Sequence, residues 1–190
     1  ATAGVSGISN TALNFPGTAG SFIGLPPAPI PRDEGTIAVW INPNTVIGLQ
    51  VIAYTSDNEN VGTTYNCFGS SGDVLEICLG INTNYIQFTY RDSNIGEVNP
   101  STSGGLFTLT AGTWYFIAVT YDDNPASGNS NDDSARIYAS QQGGSISSPI
   151  VSTSMTGIGF NNHPQINSYL GRSGTGNQGV AQERDLNGRK

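Results

Sequence analysis

The chain offers little with which to do chemistry: fourteen Asp and Glu, seven Lys and Arg, two cysteines and a single histidine. Hydrolysis of a glycosidic bond needs two carboxylates facing one cleft, which a strand supplies at alternate positions. No strand-like run here carries such a pair. Glu76 stands alone in its run, and Asp33-Glu34 sits in a turn beside a proline-rich stretch. A Ser/His/Asp arrangement would have to use His163, which precedes Pro164 in a loop with nothing to orient it. The expectation is a protein that is not an enzyme.

Binding chemistry is better represented. Asp57-Asn58-Glu59-Asn60 forms one cluster of hard oxygen donors, and Asp122, Asp123, Asp132 and Asp133 at the ends of a polar loop form another. Both suit Ca2+, although neither has the spacing of a known calcium loop. The competing reading is that Asp and Asn are simply good turn formers. Cys67 and Cys78 flank the turn at 68–73. Read as a disulfide across a hairpin they imply an oxidising compartment; two buried free thiols are the alternative. A zinc site lacks partners for them. Among aromatic residues suited to stacking on sugar rings, Trp40, Trp114, Tyr121 and Tyr138 lie in apolar strands, which assigns Trp40 and Trp114 to the core. Tyr54, Tyr65 and Tyr90, near strand ends, are the expected exposed glycan contacts.

These side chains must be positioned by strands. The strongest element is Trp114-Tyr115-Phe116-Ile117-Ala118-Val119-Thr120-Tyr121-Asp122, entered through Gly112 and stopped by Asp123-Asn124-Pro125. It is apolar on both alternating faces, which predicts a central strand covered on both sides. Further strands are expected at 12–15, 21–25, 35–41, 46–54, 63–68, 74–81, 85–90, 135–139, 150–154 and 167–172. Pro26-Pro27 through Pro31 is an extended connection, since prolines supply no donors to a sheet. No useful helical period occurs. Many short strands with Gly and Asn turns predict an all-β, two-sheet antiparallel sandwich or a barrel.

Composition narrows the partners. Only 11% of residues are charged and the net charge is -7, with no basic cluster. Nucleic acid and anionic membrane surfaces are poor partners for such a chain. No apolar run reaches membrane-spanning length. The Ser, Thr, Asn and Gly-rich character fits a secreted, extracellular or cell-surface protein.

Ala12-Leu13-Asn14-Phe15-Pro16-Gly17, Gly35 through Pro43, Gly112-Thr113-Trp114 through Asp122, Ala135-Arg136-Ile137-Tyr138, Tyr169-Leu170-Gly171-Arg172-Ser173 and Leu186-Asn187-Gly188-Arg189 follow one another in order. Together they resemble the bacterial laminin-G-like domains, over residues 12–190. The resemblance implies a concanavalin A-like jelly roll, often with structural calcium, that binds glycans or mediates adhesion. The alginate-lyase pattern of Arg, His, Gln and Tyr within this fold class is absent. Two departures stand out. The family pattern continues past the Leu186-Asn187-Gly188-Arg189 equivalent into a closing strand that this sequence does not show. An additional arm, residues 1–11, precedes the family's usual start. A sheet lacking a strand leaves unpaired backbone groups beside an apolar trough. The expectation is therefore a structural subunit, a homopolymer of copies of itself. Its arm, carrying Val5 and Ile8, completes the sheet of a neighbour or, in a weaker form of the idea, folds back on its own sheet to give a monomer. The alternative is a glycan-binding or adhesin module of a larger secreted protein, contacting surface glycans.

Overall fold

The computed structural model describes residues 2–7, 11–15, 22–26, 30–31, 33–56, 75–92, 96–122, 133–155 and 167–171. Every regular element among them is a strand. In chain order they are β1 (Thr2–Ser6), β2 (Thr11–Asn14), β3 (Ile23–Gly24), β4 (Glu34–Ile41), β5 (Leu49–Ser56) and β6 (Leu75–Asn82). Then follow β7 (Tyr85–Asp92), β8 (Gly96–Val98), β9 (Tyr115–Asp122), β10 (Ser134–Gln141), β11 (Val151–Ser154) and β12 (Asn167–Leu170). The strand expected at 63–68 lies outside the described residues.

The strands form two antiparallel sheets packed face to face, a jelly-roll-like sandwich, plus one small ribbon. One sheet has the order β11-β10-β9-β4, the other β3-β12-β5-β6-β7-β8, and among the described residues β1 pairs only with β2. Alternation within each strand sends one set of side chains inward. On β9 that set is Tyr115, Ile117, Val119 and Tyr121, and on β10 it includes Ala135 and Ile137. They meet Ile77, Leu79, Ile81, Ile86, Phe88 and Tyr90 from β6 and β7. Each aliphatic side chain so enclosed contributes about 1.5–3 kcal/mol. Rings bridge the layers: Tyr121 stacks on Phe88 at a centroid distance of 5.5 Å.

Local irregularities shape this core. The β5–β6 register shifts between Val51 and Ala53, a bulge that leaves Ile52 extra. Ile52 and Ala53, though consecutive, both join the inter-sheet core, while Val51 and Tyr54 pack on the other side with Cys78 and Tyr169. The β6–β7 hairpin turns at Thr83, which adopts a positive φ of 51° and donates its N–H to the Gly48 carbonyl at 2.8 Å.

The expectation that the 114–122 strand is covered on both faces is corrected. On β9 only the inward face is buried; Phe116, Ala118, Thr120 and Asp122 are half-exposed on the outside of the four-stranded sheet. The doubly covered strands are instead β5 and β6. Their far face holds buried Val51, Tyr54, Ser56, Glu76 and Cys78 as well. Apolarity on both faces of β9 reflects a partly wet aromatic surface, which strand composition alone does not distinguish from a second buried layer.

Candidate functional site

The most unusual feature of the sandwich is β4. It ends the four-stranded sheet, and its eight residues pair along one side with β9, from Glu34↔Asp122 to Ile41↔Tyr115. Among the described residues no strand pairs with its other side. Burial falls off sharply toward this edge. Val119 and Ile137 are fully enclosed, yet Ile37, their neighbour in the same cross-strand row, is only partly buried, as is Val39. An eight-residue regular edge with half-covered aliphatic side chains is a template for a further strand.

The arm is described in part. Val5 lies in β1 and is in register with Ala12 of β2; Ile8 falls outside the described residues. The arm therefore pairs with the first strand of the expected domain, and among the described residues this ribbon pairs with neither large sheet.

Cross-strand register also gathers charges that reading one strand at a time leaves scattered. Glu76 of β6 stands opposite Arg91 of β7, which stands opposite Glu97 of β8. Arg91 approaches the Glu76 carboxylate at 3.4 Å and the Glu97 carboxylate at 2.6 Å. Glu76 is fully buried and Arg91 nearly so. Thr89 donates to Asn99 at 2.6 Å, and the Asn99 amide donates in turn to Glu97. With a guanidinium between the two carboxylates, the arrangement is an ion-pair clamp across three strands. Glu34, expected in a turn, is the first residue of β4 and faces Asp122 across the strand pair. Asp33 is exposed, and His163 lies outside the described residues.

Of the expected calcium ligands, Asp122 and Asp133 are described; Asp57, Asn58, Glu59, Asp123 and Asp132 lie outside the described residues. Asp122 closes β9 in register with Ser134, which opens β10 directly after Asp133. Asp122 Oδ1 and Ser134 Oγ are buried without a hydrogen-bond partner. Among the described residues no group of three or more His, Cys, Asp or Glu side chains could hold a metal ion. Cys78 is fully buried and is not a free thiol, while Cys67 lies outside the described residues.

The aromatic expectations need correction in both directions. Tyr54 and Tyr90, expected at the surface, are each 1% exposed. Tyr54 packs with Cys78 and Tyr169 on the far face of β5, and Tyr90 packs against Tyr121 between the sheets. Nearness to a strand end did not expose them, because the neighbouring strands extend past them. Tyr65 lies outside the described residues. Trp40, expected in the core, is 39% exposed on the outer face of β4, with its ring 5.4 Å from that of Phe116. Its partner candidate Trp114 is half-buried just before β9, and Tyr138 is half-buried on the same outer face as Trp40. Tyr121 is a core residue whose hydroxyl donates to the Pro31 carbonyl. Burial, and secondarily the charge of Asp33, push its pKa well above the ordinary tyrosine value.

Among the described residues the fold is a two-sheet antiparallel β-sandwich in which β4 is paired along one side. No protein-family model matches the chain, and no curated protein matches it.

Proposed function

We propose that this protein is a non-catalytic, secreted structural subunit. Copies join head-to-tail when the N-terminal arm of one adds a strand to the β4 edge of the next. On this reading the chain is a laminin-G-like jelly roll of the concanavalin A type. Its Cys67–Cys78 disulfide closes a hairpin in the oxidising compartment where assembly occurs.

One observation carries the proposal: among the described residues β4 is paired along one side only, and its inward side chains, Ile37 and Val39, are only partly covered. A donated strand would satisfy the outward backbone groups of β4 and enclose those two side chains. Completing the burial of each is worth about 1–2 kcal/mol, part of the full value for an aliphatic side chain. Among the described residues β1 bonds only to β2, so exchange replaces one antiparallel ladder with another. A contact between an arm and a distant edge is not self-complementary, so copies propagate into a filament unless rotation closes a ring.

Negative-stain microscopy and sedimentation of the whole chain, with and without residues 1–11, test this. The whole chain is expected to form fibres and the shortened chain to remain dispersed. Single particles of the whole chain at every concentration, or fibres that survive the deletion, would end the proposal.

A further inference from the structure

The two ends of the sandwich differ in charge. At one end β4 and β10 finish where β9 starts, and β6 finishes where β5 and β7 start. The loops there, 42–48, 83–84, 102–114 and 142–150, contain no Asp, Glu, Lys, Arg or His. Among the described residues every charged one lies toward the opposite end, from Glu34, Asp122 and Arg136 on one sheet to Glu76, Arg91 and Glu97 on the other.

The uncharged end also carries the most exposed large apolar side chains of the described residues, Ile47 at 77% and Leu106 at 61%. Single exposed aliphatic residues are ordinary. These two are held out by a built frame. Gly48, at a φ of 76°, closes the first loop, and its carbonyl accepts the Thr83 N–H at 2.8 Å. The Ile47 N–H donates to Thr45 Oγ1 at 3.3 Å. Gly104 and Gly105, at φ 73° and 85°, turn the chain ahead of Leu106. Buried Thr102 fixes that turn, donating its hydroxyl to the Phe107 carbonyl and accepting the Ile86 N–H, each at 3.0 Å. The Leu109 N–H on the Asn84 carbonyl at 2.8 Å ties this loop to the β6–β7 turn. Both tryptophans of the chain belong to the same end: Trp40 is next to last in β4, and Trp114 immediately precedes β9.

We infer that this end docks on the surface of a zwitterionic lipid bilayer, with Ile47 and Leu106 entering the acyl boundary and the tryptophans at headgroup depth. Interfacial binding grows with the apolar area inserted, and a charge carried to that depth opposes it. Four loops free of charge remove the opposing cost. Tryptophan favours the headgroup level, where one edge is wet and the ring is apolar. The loops also meet the requirement that backbone groups near lipid be hydrogen-bonded within the protein. Two aliphatic knobs on separate loops would need matching pockets in a protein partner, whereas fluid acyl chains accept any spacing. A net charge of -7 disfavours an anionic surface. Docking leaves strand addition free, since β4 reaches this end only with its last residues.

Flotation of the whole chain with phosphatidylcholine vesicles tests the inference, because fibres pellet while vesicle-bound protein rises. Saturable binding with a blue shift of tryptophan emission is expected, unchanged by added salt because no charge takes part. Ile47→Glu and Leu106→Glu should each weaken it about tenfold or more, with near-UV circular dichroism showing the fold retained. Glu34→Gln, at the opposite end, should leave it unchanged. Absence of binding by the whole chain overturns the inference, as does binding that survives both Ile47→Glu and Leu106→Glu. Binding confined to phosphatidylglycerol vesicles also overturns it. Self-association lost on Ile47→Glu, without vesicle binding by the whole chain, would assign this end to a second copy and overturn it too.

Discussion

The Tyr121 ring lies over Gly35, its register partner on the adjacent strand, in the space a side chain at 35 would occupy. A Cβ added to Gly35 would sit 2.7 Å from the ring carbon bearing the hydroxyl, and closer still to the hydroxyl oxygen. That hydroxyl donates to the Pro31 carbonyl, so one contact seats the end of the proline-rich connection on the four-stranded sheet. Gly35→Ala must displace the ring and break the bond. A loss of about 1–3 kcal/mol is expected, read from the urea midpoint.

Tyr121 also gives stability a signature at high pH. Its pKa is raised above the unfolded value of 10.0, so the folded state holds the proton more tightly. The contribution is complete below pH 10 and is lost as pH rises above it, because the unfolded chain then ionises while the folded chain resists. Tyr121→Phe should lose about 1 kcal/mol at neutral pH for the missing hydrogen bond. It should also flatten the decline in stability measured from pH 9 to 11.

The Glu76–Arg91–Glu97 clamp predicts unequal effects. Arg91→Leu removes the guanidinium from beside the buried Glu76 carboxylate and should cost about 3–5 kcal/mol. Glu97→Gln, at a carboxylate left 29% exposed, should cost under about 1 kcal/mol. Equal losses by chemical denaturation would show that Arg91 serves the exposed partner and not the buried one.

Two sites should gain stability. Thr83 is β-branched at positive φ, and Thr83→Asn should raise stability by up to about 1 kcal/mol by admitting a residue that tolerates the left-handed region. Glu34 and Asp122 are like charges facing one another, so Glu34→Lys should add about 0.2–1 kcal/mol. A lower melting temperature for Glu34→Lys, in calcium but not in chelator, would instead place a cation between the two carboxylates.

For the proposed assembly, a synthetic peptide of residues 1–11 added in excess should compete for the β4 edge and shorten fibres. Val39→Lys should prevent growth by placing a charge where the donated strand would enclose an aliphatic side chain. Peptide mapping before reduction should recover Cys67 and Cys78 in one linked species. Reducing that bond should lower stability by about 2–4 kcal/mol.

What the sequence alone determined was most of the strands and their alternation; β8 was not among them, and the run at 63–68 lies outside the described residues. The runs around Val39 and Ile117 announced β4 and β9 to within a residue or two, because pleating is local and needs only neighbouring side chains. Which alternating face met the other sheet was not local. Both faces of β9 were apolar, and only packing showed that Val119 is core while Phe116 is surface. The same holds for Tyr54 and Tyr90, buried by strands distant in sequence, and for Trp40, left at the surface. The clamp joining Glu76, Arg91 and Glu97 exists only in cross-strand register. Register is fixed by turns and bulges, such as the extra residue at Ile52, and by the fit of whole faces, so the tertiary structure alone decided it.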